Sequence, residues 1–320
     1  MPPFGIPTEL TPRIYDWCDG AVDFFEGPNE PMVGRSPAGP ALLKEYQQRL
    51  YEAVRASADL KDVRVLGPSL IQAQIRLAEP MADVVDDANI HPYPGHFNPE
   101  TTTHASLQLH IDGARRVFGD RPVVITETGY HTALATRKQH LPVPEAIKTR
   151  YIPRLLLWCF HNGVKRTYLY EGVSSFDRGD TDPESSFGLL RNDLSPTPSY
   201  YAVKNLLAQF RPDGTRKYKG QPLSVRVERG PADLVCMGFR RRDGANLVAV
   251  WRGSQGWDAH AKTLTPAARA PLNLRLRGRP RTVRLHRFRD DGCLSSTRLE
   301  AQNDLLRVSV DDSLAIVVLA

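Results

Sequence analysis

The sequence predicts an α/β domain over residues 1–215 and a small antiparallel β-domain over residues 216–320. In the first portion, short apolar runs alternate with helical patterns. Near residue 215 the helical periodicity stops, and short alternating segments replace it. The charge changes at the same place. Residues 1–215 carry 22 Lys/Arg against 26 Asp/Glu, a net of −4, whereas residues 216–320 carry 20 against 10, a net of +10.

Five strand-then-helix units follow one another in the first portion. Apolar residues three or four apart, such as Leu42 and Tyr46, predict the first helix. The strands are predicted at 21–27, 63–69, 84–91, 122–129 and 164–172, and the helices at about 41–58, 71–79, 102–118, 144–162 and 198–210. This alternation predicts parallel strands joined by helices. Trp158, Phe160 and Tyr168 fall within these patterns, so we expect them in the core.

Two architectures fit this alternation, the doubly wound sheet and the (β/α)8 barrel. A doubly wound nucleotide binder usually has a glycine-rich first turn, and neither GxGxxG nor GxxxxGK[ST] occurs here. Instead, polar residues cluster where the predicted strands end: Asn29, Glu30, His91, Tyr93, Glu127 and Glu171. In a barrel, this is the face on which catalytic residues lie. The pattern therefore favours a (β/α)8 TIM-type barrel.

The second portion is predicted to be a small antiparallel β-sandwich. Turn signals such as Asp243-Gly244 and Asp291-Gly292 separate its short segments. These segments are 223–229, 234–242, 246–252, 272–278, 282–288, 305–310 and 314–320. Trp251 and Trp257 lie in or beside them, and we expect packing in the core or a turn, with a sugar-stacking platform as the alternative.

The basic charge of this second portion has two interpretations. In LNLRLR, Arg275 and Arg277 alternate with leucines, which predicts one solvated basic face of a strand. The functional alternative is an anionic partner, such as an acidic polysaccharide. No nucleic-acid-binding module accompanies the charge, so we do not expect nucleic acid as a partner.

Several other classes of protein are not expected. No apolar run approaches the roughly 20 residues that cross a bilayer. No two of the four cysteines form a CxxC pair, which excludes a zinc-finger framework. The histidines also lack metal-ligand spacing such as HExxH. We therefore expect neither a metal nor another cofactor. The N-terminal residues do not form a recognisable signal peptide, and the location of the protein stays open.

Two carboxylates could carry chemistry. Glu30 follows the first predicted strand, and Glu127 ends the fourth. At the ends of two non-adjacent barrel strands, they would face each other across the mouth. Cleavage of a glycosidic bond needs such a pair, one to protonate the leaving oxygen and one to attack the anomeric carbon. Taken singly, the Pro-Asn-Glu sequence is typical of a turn, and Glu127 of a helix N-terminus.

The combination resembles clan A of the glycoside hydrolases, the retaining, cellulase-like (β/α)8 enzymes. The resemblance covers about residues 20–210 and is carried by Asn29-Glu30, His91-Pro92-Tyr93, Thr126-Glu127-Thr128-Gly129 and Tyr168-Leu169-Tyr170-Glu171-Gly172. It implies a carbohydrate substrate and a retaining double displacement, with Glu30 as acid/base and Glu127 as nucleophile. It further implies that Asn29 binds the sugar 2-hydroxyl.

The same resemblance implies roles for four more residues. His91 and Tyr93 would lie near the nucleophile, with Tyr93 donating a hydrogen bond to Glu127. Tyr170 or Glu171, after the last strand, would line the substrate subsite. A β-sandwich after the barrel is also common in the clan.

By this resemblance the five strands are strands four to eight of an incomplete barrel. An intact barrel takes about 250 residues, so strands one to three have no counterpart in the sequence. The explanations are a truncated gene product, a wrongly chosen start codon, or a second chain that completes the barrel, since five strands alone expose sheet edges. The alternative functions are a non-catalytic carbohydrate-binding protein and an inactive, truncated glycosidase-like protein. The resemblance implies an extracellular location if an upstream segment exists.

Overall fold

The computed structural model describes residues 8–31, 39–137, 140–211, 224–278 and 280–320. The predicted domain boundary between residues 215 and 216 lies outside these described residues and stays a prediction. The chain forms two compact units. The first unit consists of Met1–Pro94, Thr101–Thr128 and Cys159–Leu169, and the second unit of Gly95–Glu100, Gly129–Trp158 and Tyr170–Ala320.

The helices and strands follow the predicted order. The α-helices of the described ranges are α1 (Thr11–Trp17), α2 (Gly39–Ala56), α3 (Gln72–Ile75), α4 (Leu107–Phe118), α5 (Glu145–His161) and α6 (Pro198–Phe210). They alternate with β1 (Phe24–Glu26), β2 (Arg64–Leu66), β3 (Ala88–Asn89), β4 (Val123–Thr128) and β5 (Arg166–Leu169). None of these described helices is both long and apolar enough to cross a membrane.

The first unit contains a parallel array in the order β1-β2-β3-β4-β5. Strand β1 pairs with β2, and β4 pairs with both β3 and β5, always in parallel. Parallel bridges from Leu66 to Asp87 and from Leu70 to Ile90 continue the array from β2 to β3. Parallel neighbours in chain order, each followed by a helix, are the arrangement of a partial (β/α)8 barrel, as predicted. That these strands are the fourth to the eighth stays a prediction.

Helix α2 covers β2 in the first unit. Leu50 and Val54 lie one turn apart on the helix and pack against Val63 and Val65. Such a side chain contributes roughly 1.5–3 kcal/mol when it is fully removed from water. The spacing of apolar residues that predicts this helix therefore also identifies its buried face.

The outer strands of the array, β1 and β5, meet through side chains. The rings of Phe24 and Tyr168 lie 6.3 Å apart, and Arg166 reaches Asp23 at 3.4 Å. The predicted sheet edges are therefore partly covered by residues of the chain itself. Tyr168 is still 40% exposed and Phe160 is 65% exposed, so the prediction that these two residues belong to the core is wrong.

The second unit contains the predicted antiparallel β-sandwich. Its strands are β6 (Ser224–Arg229), β7 (Leu234–Arg240), β8 (Asn246–Arg252), β9 (Trp257–Asp258), β10 (Thr263–Leu264), β11 (Ala270–Arg277), β12 (Val283–Phe288), β13 (Leu294–Leu299), β14 (Leu305–Val310) and β15 (Ala315–Leu319). A three-stranded sheet, β14-β11-β6, faces a five-stranded sheet, β13-β12-β15-β8-β7. Between them pack Leu272, Leu274, Val248, Val250 and Val317.

Strand β8 is buried on both faces, because helices cover the side that the other sheet does not. Leu247, Ala249 and Trp251 pack with Leu157 of α5 and Leu206 of α6. Trp251 is fully buried and Trp257 nearly so, so both pack in the interior and neither is a sugar-stacking platform. The alternation predicted for β11 is also observed, since its leucines are buried while Arg277 is exposed.

Candidate active site

Polar residues lie at or just after the carboxyl ends of four neighbouring strands of the first unit. Glu30 follows β1, Ser69 follows β2, His91 follows β3, and Glu127 lies near the end of β4. Because the ends of parallel neighbouring strands lie side by side, residues far apart in the sequence come together there. The sequence predicts this grouping for Glu30, His91, Tyr93 and Glu127, and the structure brings these four residues together.

The turn after β1 packs tightly against the segment after β2. A Cβ atom on Gly27 would lie 2.3 Å from Oε1 of Gln47 and 2.7 Å from the backbone nitrogen of Pro68, so only glycine fits. Glu30 has a φ of 40°, in the left-handed region, which costs a non-glycine residue about 1–2 kcal/mol. Hydrogen bonds to Ser69 hold this conformation. The Glu30 backbone N–H donates to the Ser69 carbonyl at 3.1 Å and to the Ser69 hydroxyl at 3.2 Å.

Asn29 lies beside this turn and is exposed. Its Oδ1 atom accepts a hydrogen bond of 3.1 Å from the Ser69 hydroxyl. Ser69 therefore orients both residues of the Asn-Glu pair, and it leaves the side-chain N–H groups of Asn29 available to a ligand.

His91 lies between the two carboxylates and is almost completely buried. Its Nδ1 atom is 3.0 Å from Oε1 of Glu30 and 3.7 Å from Oε2 of Glu127. Its Nε2 atom is 2.9 Å from Oγ1 of Thr126. Both ring nitrogens are therefore engaged, and the ring orientation is fixed.

Glu127 is partly exposed and accepts a hydrogen bond from the Tyr93 hydroxyl, as predicted from the resemblance. One oxygen of Glu30, one oxygen of Glu127 and one nitrogen of His91 lie within 4.8 Å of one another. A pair of carboxylates this close can protonate one atom of a bound molecule while attacking its neighbour.

The site also contains three buried or half-buried polar residues that the sequence does not predict as site residues: Glu26, Asn89 and Thr126. Oγ1 of Thr126 lies 3.1 Å from Oε1 of Glu26 and 3.0 Å from Oδ1 of Asn89. Burial raises the pKa of Glu26, while the hydrogen bond from Thr126 and the charge of His91 act in the opposite direction. The sequence does contain a signal for these residues, because each is a polar residue within a short, mostly apolar strand, and a buried polar group needs a hydrogen-bond partner.

Tyr170 and Glu171 belong to the second unit, immediately after β5. The Tyr170 hydroxyl donates to Glu184 at 2.7 Å, and the Tyr170 ring packs edge-on against Phe187, with 5.2 Å between ring centres. Glu171 accepts hydrogen bonds from the backbone N–H and the hydroxyl of Ser175, at 3.1 and 2.6 Å. Their role in a substrate subsite stays a prediction.

Lys148 fixes the segment of the second unit that carries Phe187. Its buried ammonium donates to the carbonyl oxygens of Ser186, Phe187 and Gly188, at 3.0, 2.8 and 2.9 Å. Burial lowers the pKa of Lys148 to about 8. Lys148 therefore holds the backbone of Phe187, the residue against which the Tyr170 ring packs.

Glu30, His91 and Glu127 also form a set of donors that could hold one divalent cation. Nδ1 of His91 would be the ligand, and the opposite ring nitrogen lies 2.9 Å from Oγ1 of Thr126, whereas metal-bound histidines usually contact a carboxylate, a backbone carbonyl or water there. Nδ1 of His91 contacts Oε1 of Glu30 at 3.0 Å, whereas Oε2 of Glu127 lies 3.7 Å from the same nitrogen. The absence of a metal stays a prediction.

Solved structures establish the fold of the chain. A family 39 glycoside hydrolase from Bacteroides cellulosilyticus superposes with a TM-score of 0.63 and 16% identity, over 98% of this chain and 59% of that one. The fold is that of the TIM-barrel glycoside hydrolases. No protein-family model matches the sequence, and neither does any curated protein.

Two further hydrolases have the same fold. The catalytic domain of the family 30 xylanase C from Talaromyces cellulolyticus gives a TM-score of 0.53 and 14% identity, over 97% of this chain and 66% of that one. A family 44 xyloglucanase from Paenibacillus polymyxa gives a TM-score of 0.54 and 11% identity, over 92% of this chain and 65% of that one. These neighbours belong to clan A, so the predicted resemblance is confirmed for the fold. This chain spans about six-tenths of the length of the first hydrolase and about two-thirds of the others.

Proposed function

We propose that this chain carries the catalytic residues of a retaining glycoside hydrolase, with Glu30 as acid/base and Glu127 as nucleophile. The observation that supports this most directly is the approach of the two carboxylates to within 4.8 Å. Retaining enzymes hold their carboxyl groups about 5–5.5 Å apart, whereas inverting enzymes leave about 6.5–9.5 Å for a water molecule.

In the first step, a carboxylate oxygen of Glu127 attacks the anomeric carbon and forms a glycosyl ester. The bond to the leaving oxygen breaks, its electron pair stays on that oxygen, and Glu30 supplies the proton. The hydrogen bond from Tyr93 favours the ionised form of Glu127 and fixes the carboxylate plane.

In the second step, Glu30 is ionised and acts as the base. It takes a proton from a water molecule, whose oxygen attacks the anomeric carbon from the face that the leaving group occupied. The ester bond breaks, Glu127 is released as a carboxylate, and the sugar keeps its original configuration after two inversions.

Substrate binding is proposed to use Asn29, Tyr170 and Glu171. Asn29 is exposed beside Glu30, and its side-chain N–H groups suit a sugar 2-hydroxyl. Tyr170 and Glu171, which directly follow β5, are proposed to line the subsite, with an aromatic face and a carboxylate for a second sugar contact. The neighbours named xylanase and xyloglucanase make aryl xylosides and aryl glucosides the first substrates to test.

The test compares the wild-type protein with Glu30→Gln and Glu127→Gln on these aryl glycosides. On glycosides of unsubstituted phenol, whose leaving oxygen needs a proton, we expect each variant to lose on the order of 10³-fold in kcat/KM. Glu52→Gln is the matched control, because Glu52 is an exposed carboxylate on α2 and its loss leaves turnover unchanged. Full turnover by Glu127→Gln contradicts the assignment. A protein that binds oligosaccharides but hydrolyses none of them contradicts catalysis and favours a carbohydrate-binding protein.

A further inference from the structure

The outer face of the three-stranded sheet β14-β11-β6 in the second unit collects five arginines. The alternation in β11 buries Leu272, Leu274 and Leu276 between the two sheets and places Arg275 and Arg277 on the opposite face. The strands on either side of β11 add three more arginines to that face. We call this surface the basic face, and its arginines are Arg226, Arg229, Arg275, Arg277 and Arg307.

The register of the three strands establishes that these arginines share one face. Arg226 lies directly opposite Arg275, and Arg229 and Arg307 lie opposite Asn273 from its two sides. Directly opposite residues point to the same face of a sheet, with about 4.5–5.5 Å between their Cβ atoms. The positive charges therefore extend across all three strands as well as along β11.

Most of this positive charge is not compensated. Glu228 forms an ion pair with Arg275, in which the terminal nitrogen of Arg275 lies 3.1 Å from Oε2 of Glu228. Arg226, Arg277 and Arg307 are exposed, and none of them forms an ion pair with a carboxylate that the structure describes. Like charges on neighbouring strands destabilise a sheet. An anionic partner would relieve this repulsion.

The chemistry of the arginine side chain indicates which anion suits this face. A planar guanidinium forms two parallel hydrogen bonds with a carboxylate, and Arg275 already holds Glu228 in this way. A polymer of uronic acids carries such a carboxylate on each sugar, so an extended chain can contact several arginines at once.

The basic face lacks the aromatic residues on which single-stranded nucleic acids stack their bases. In the described strands, no aromatic residue lies directly opposite any of the five arginines. Their partners, apart from one another, are Ser224, Asn273 and Leu305. The charge and the side chains of this face therefore favour an acidic polysaccharide over a nucleic acid.

We propose that the basic face binds an acidic polysaccharide whose sugars carry carboxylates. Guanidinium–carboxylate pairs hold the polymer along β11 and across its two neighbours, at residues that take no part in the proposed hydrolysis. The choice of a polysaccharide rests on the proposed function, since a glycosidase acts on carbohydrate. The preference for a carboxylate-bearing polyanion rests on the arginines alone.

The polymer used for the test is polygalacturonate, a linear chain of uronic acids. We expect the protein to bind it at low salt and to release it as the salt concentration rises, because exposed charges are screened. Fully methyl-esterified polygalacturonate has the same sugars without the charge and should bind far more weakly. Equal binding of the esterified polymer overturns the inference. Equal or tighter binding of single-stranded DNA, or of vesicles of an anionic phospholipid, overturns the choice of a polysaccharide.

A triple variant tests the assignment to this face. Arg226→Gln/Arg277→Gln/Arg307→Gln removes one exposed charge from each of the three strands. Exposed ion pairs are weak singly, so we expect the loss of three to weaken binding of polygalacturonate about 10- to 100-fold. All three side chains are exposed, so urea unfolding should show wild-type stability. An unchanged affinity overturns the inference.

A second triple variant removes the same number of charges elsewhere in the second unit. Arg242→Gln/Arg284→Gln/Arg298→Gln is the matched control, because all three residues are exposed. Arg284 and Arg298 lie opposite each other in the five-stranded sheet, outside the basic face. This variant should keep the wild-type affinity. An equal loss in the two triple variants shows that net charge alone attracts the polymer, and it overturns the inference.

Hydrolysis of aryl glycosides, measured in parallel, separates this inference from the proposed function. The variant of the basic face should hydrolyse these small substrates like the wild type, because its three substitutions lie outside the residues proposed for catalysis. Absence of hydrolysis by the wild type counts against the proposed function and leaves the binding result standing. Hydrolysis without binding of polygalacturonate overturns the inference and leaves the proposed function standing.

Discussion

Nδ1 of His91 lies 3.0 Å from Oε1 of Glu30, although 61 residues separate them in the sequence. The two residues follow β3 and β1, and the parallel order of the strands brings their carboxyl ends to the same edge. The buried ring thus orients a partly exposed carboxyl group. The roles proposed for Glu30 and for the neighbouring Glu127 can each be tested.

Replacement of Glu30 should affect substrates according to their leaving group. In Glu30→Gln, a dinitrophenyl group departs without a proton, so its release should fall far less than that of an alkyl group. In Glu127→Gln both substrates should lose activity alike, because attack itself is lost. Rates with a series of leaving groups check this, and an equal loss for all leaving groups in Glu30→Gln contradicts its role as acid.

Tyr93→Phe should lower kcat about 10-fold while KM changes little. The variant removes the hydroxyl that donates to Glu127 and keeps the ring, and a hydrogen bond to a charged group is worth about 1.5–3 kcal/mol. Steady-state kinetics measure the effect. Tyr51→Phe on α2 is a control for loss of a tyrosine hydroxyl elsewhere in the first unit. A kcat equal to that of the wild type would exclude a role for Tyr93 in holding the nucleophile.

His131 should make the protein less stable in acid. Burial lowers the pKa of His131 from 6.5 to about 4, and its Nδ1 atom accepts a hydrogen bond from the Ala133 backbone. The unfolded chain therefore binds more protons than the folded one between these values. Stability is complete above pH 6.5 and falls as the pH drops towards 4, by roughly 3 kcal/mol in total.

Urea unfolding at several pH values checks this dependence. His131→Gln should be less stable at neutral pH, and its free energy of unfolding should change less between pH 6.5 and 4. His161→Gln, at an exposed position, should keep the wild-type slope. The same slope in wild type and His131→Gln would show that another group causes the acid sensitivity.

Glu100 joins three parts of the second unit. One of its oxygens accepts from Trp251 Nε1 at 2.7 Å and from Arg154 Nε at 3.2 Å, and the other accepts from the Arg154 guanidinium. Glu100→Gln leaves the buried Arg154 charge uncompensated, so we expect a loss of about 3–5 kcal/mol.

Urea unfolding measures this loss too, and an exposed ion pair provides the comparison. Glu45→Gln breaks the pair between Glu45 and Arg49 on α2, both well exposed, and should cost less than about 1 kcal/mol. If the two variants destabilise the protein equally, the buried pair has no special role.

The strand–helix alternation and the grouping of Glu30, His91, Tyr93 and Glu127 could be predicted from the sequence. Apolar periodicity reports which face of an element is buried, and polar residues at strand ends report the functional edge of a barrel. Thr126 lies in the motif Thr126-Glu127-Thr128-Gly129, but its contacts cannot be predicted, because threonine is common in strands for its β-propensity alone.

Other features had no usable signal. The sequence does not predict strand β13, because no alternation between faces appears in it: its four central residues are all exposed, namely Ser295, Ser296, Thr297 and Arg298. The partners of Glu100 were also unpredictable, since 54 residues separate it from Arg154 and 151 from Trp251. Such contacts depend on tertiary packing, which periodicity does not report.

The nucleophile can be identified directly by trapping its ester. A 2-deoxy-2-fluoro glycoside with a reactive leaving group slows the second step more than the first, so the glycosyl ester accumulates on the attacking carboxylate. Mass spectrometry of the intact protein and of its peptides should find one sugar residue per chain, attached to Glu127. A label on Glu30 or on any other residue, or hydrolysis with inversion and no ester, would contradict the account.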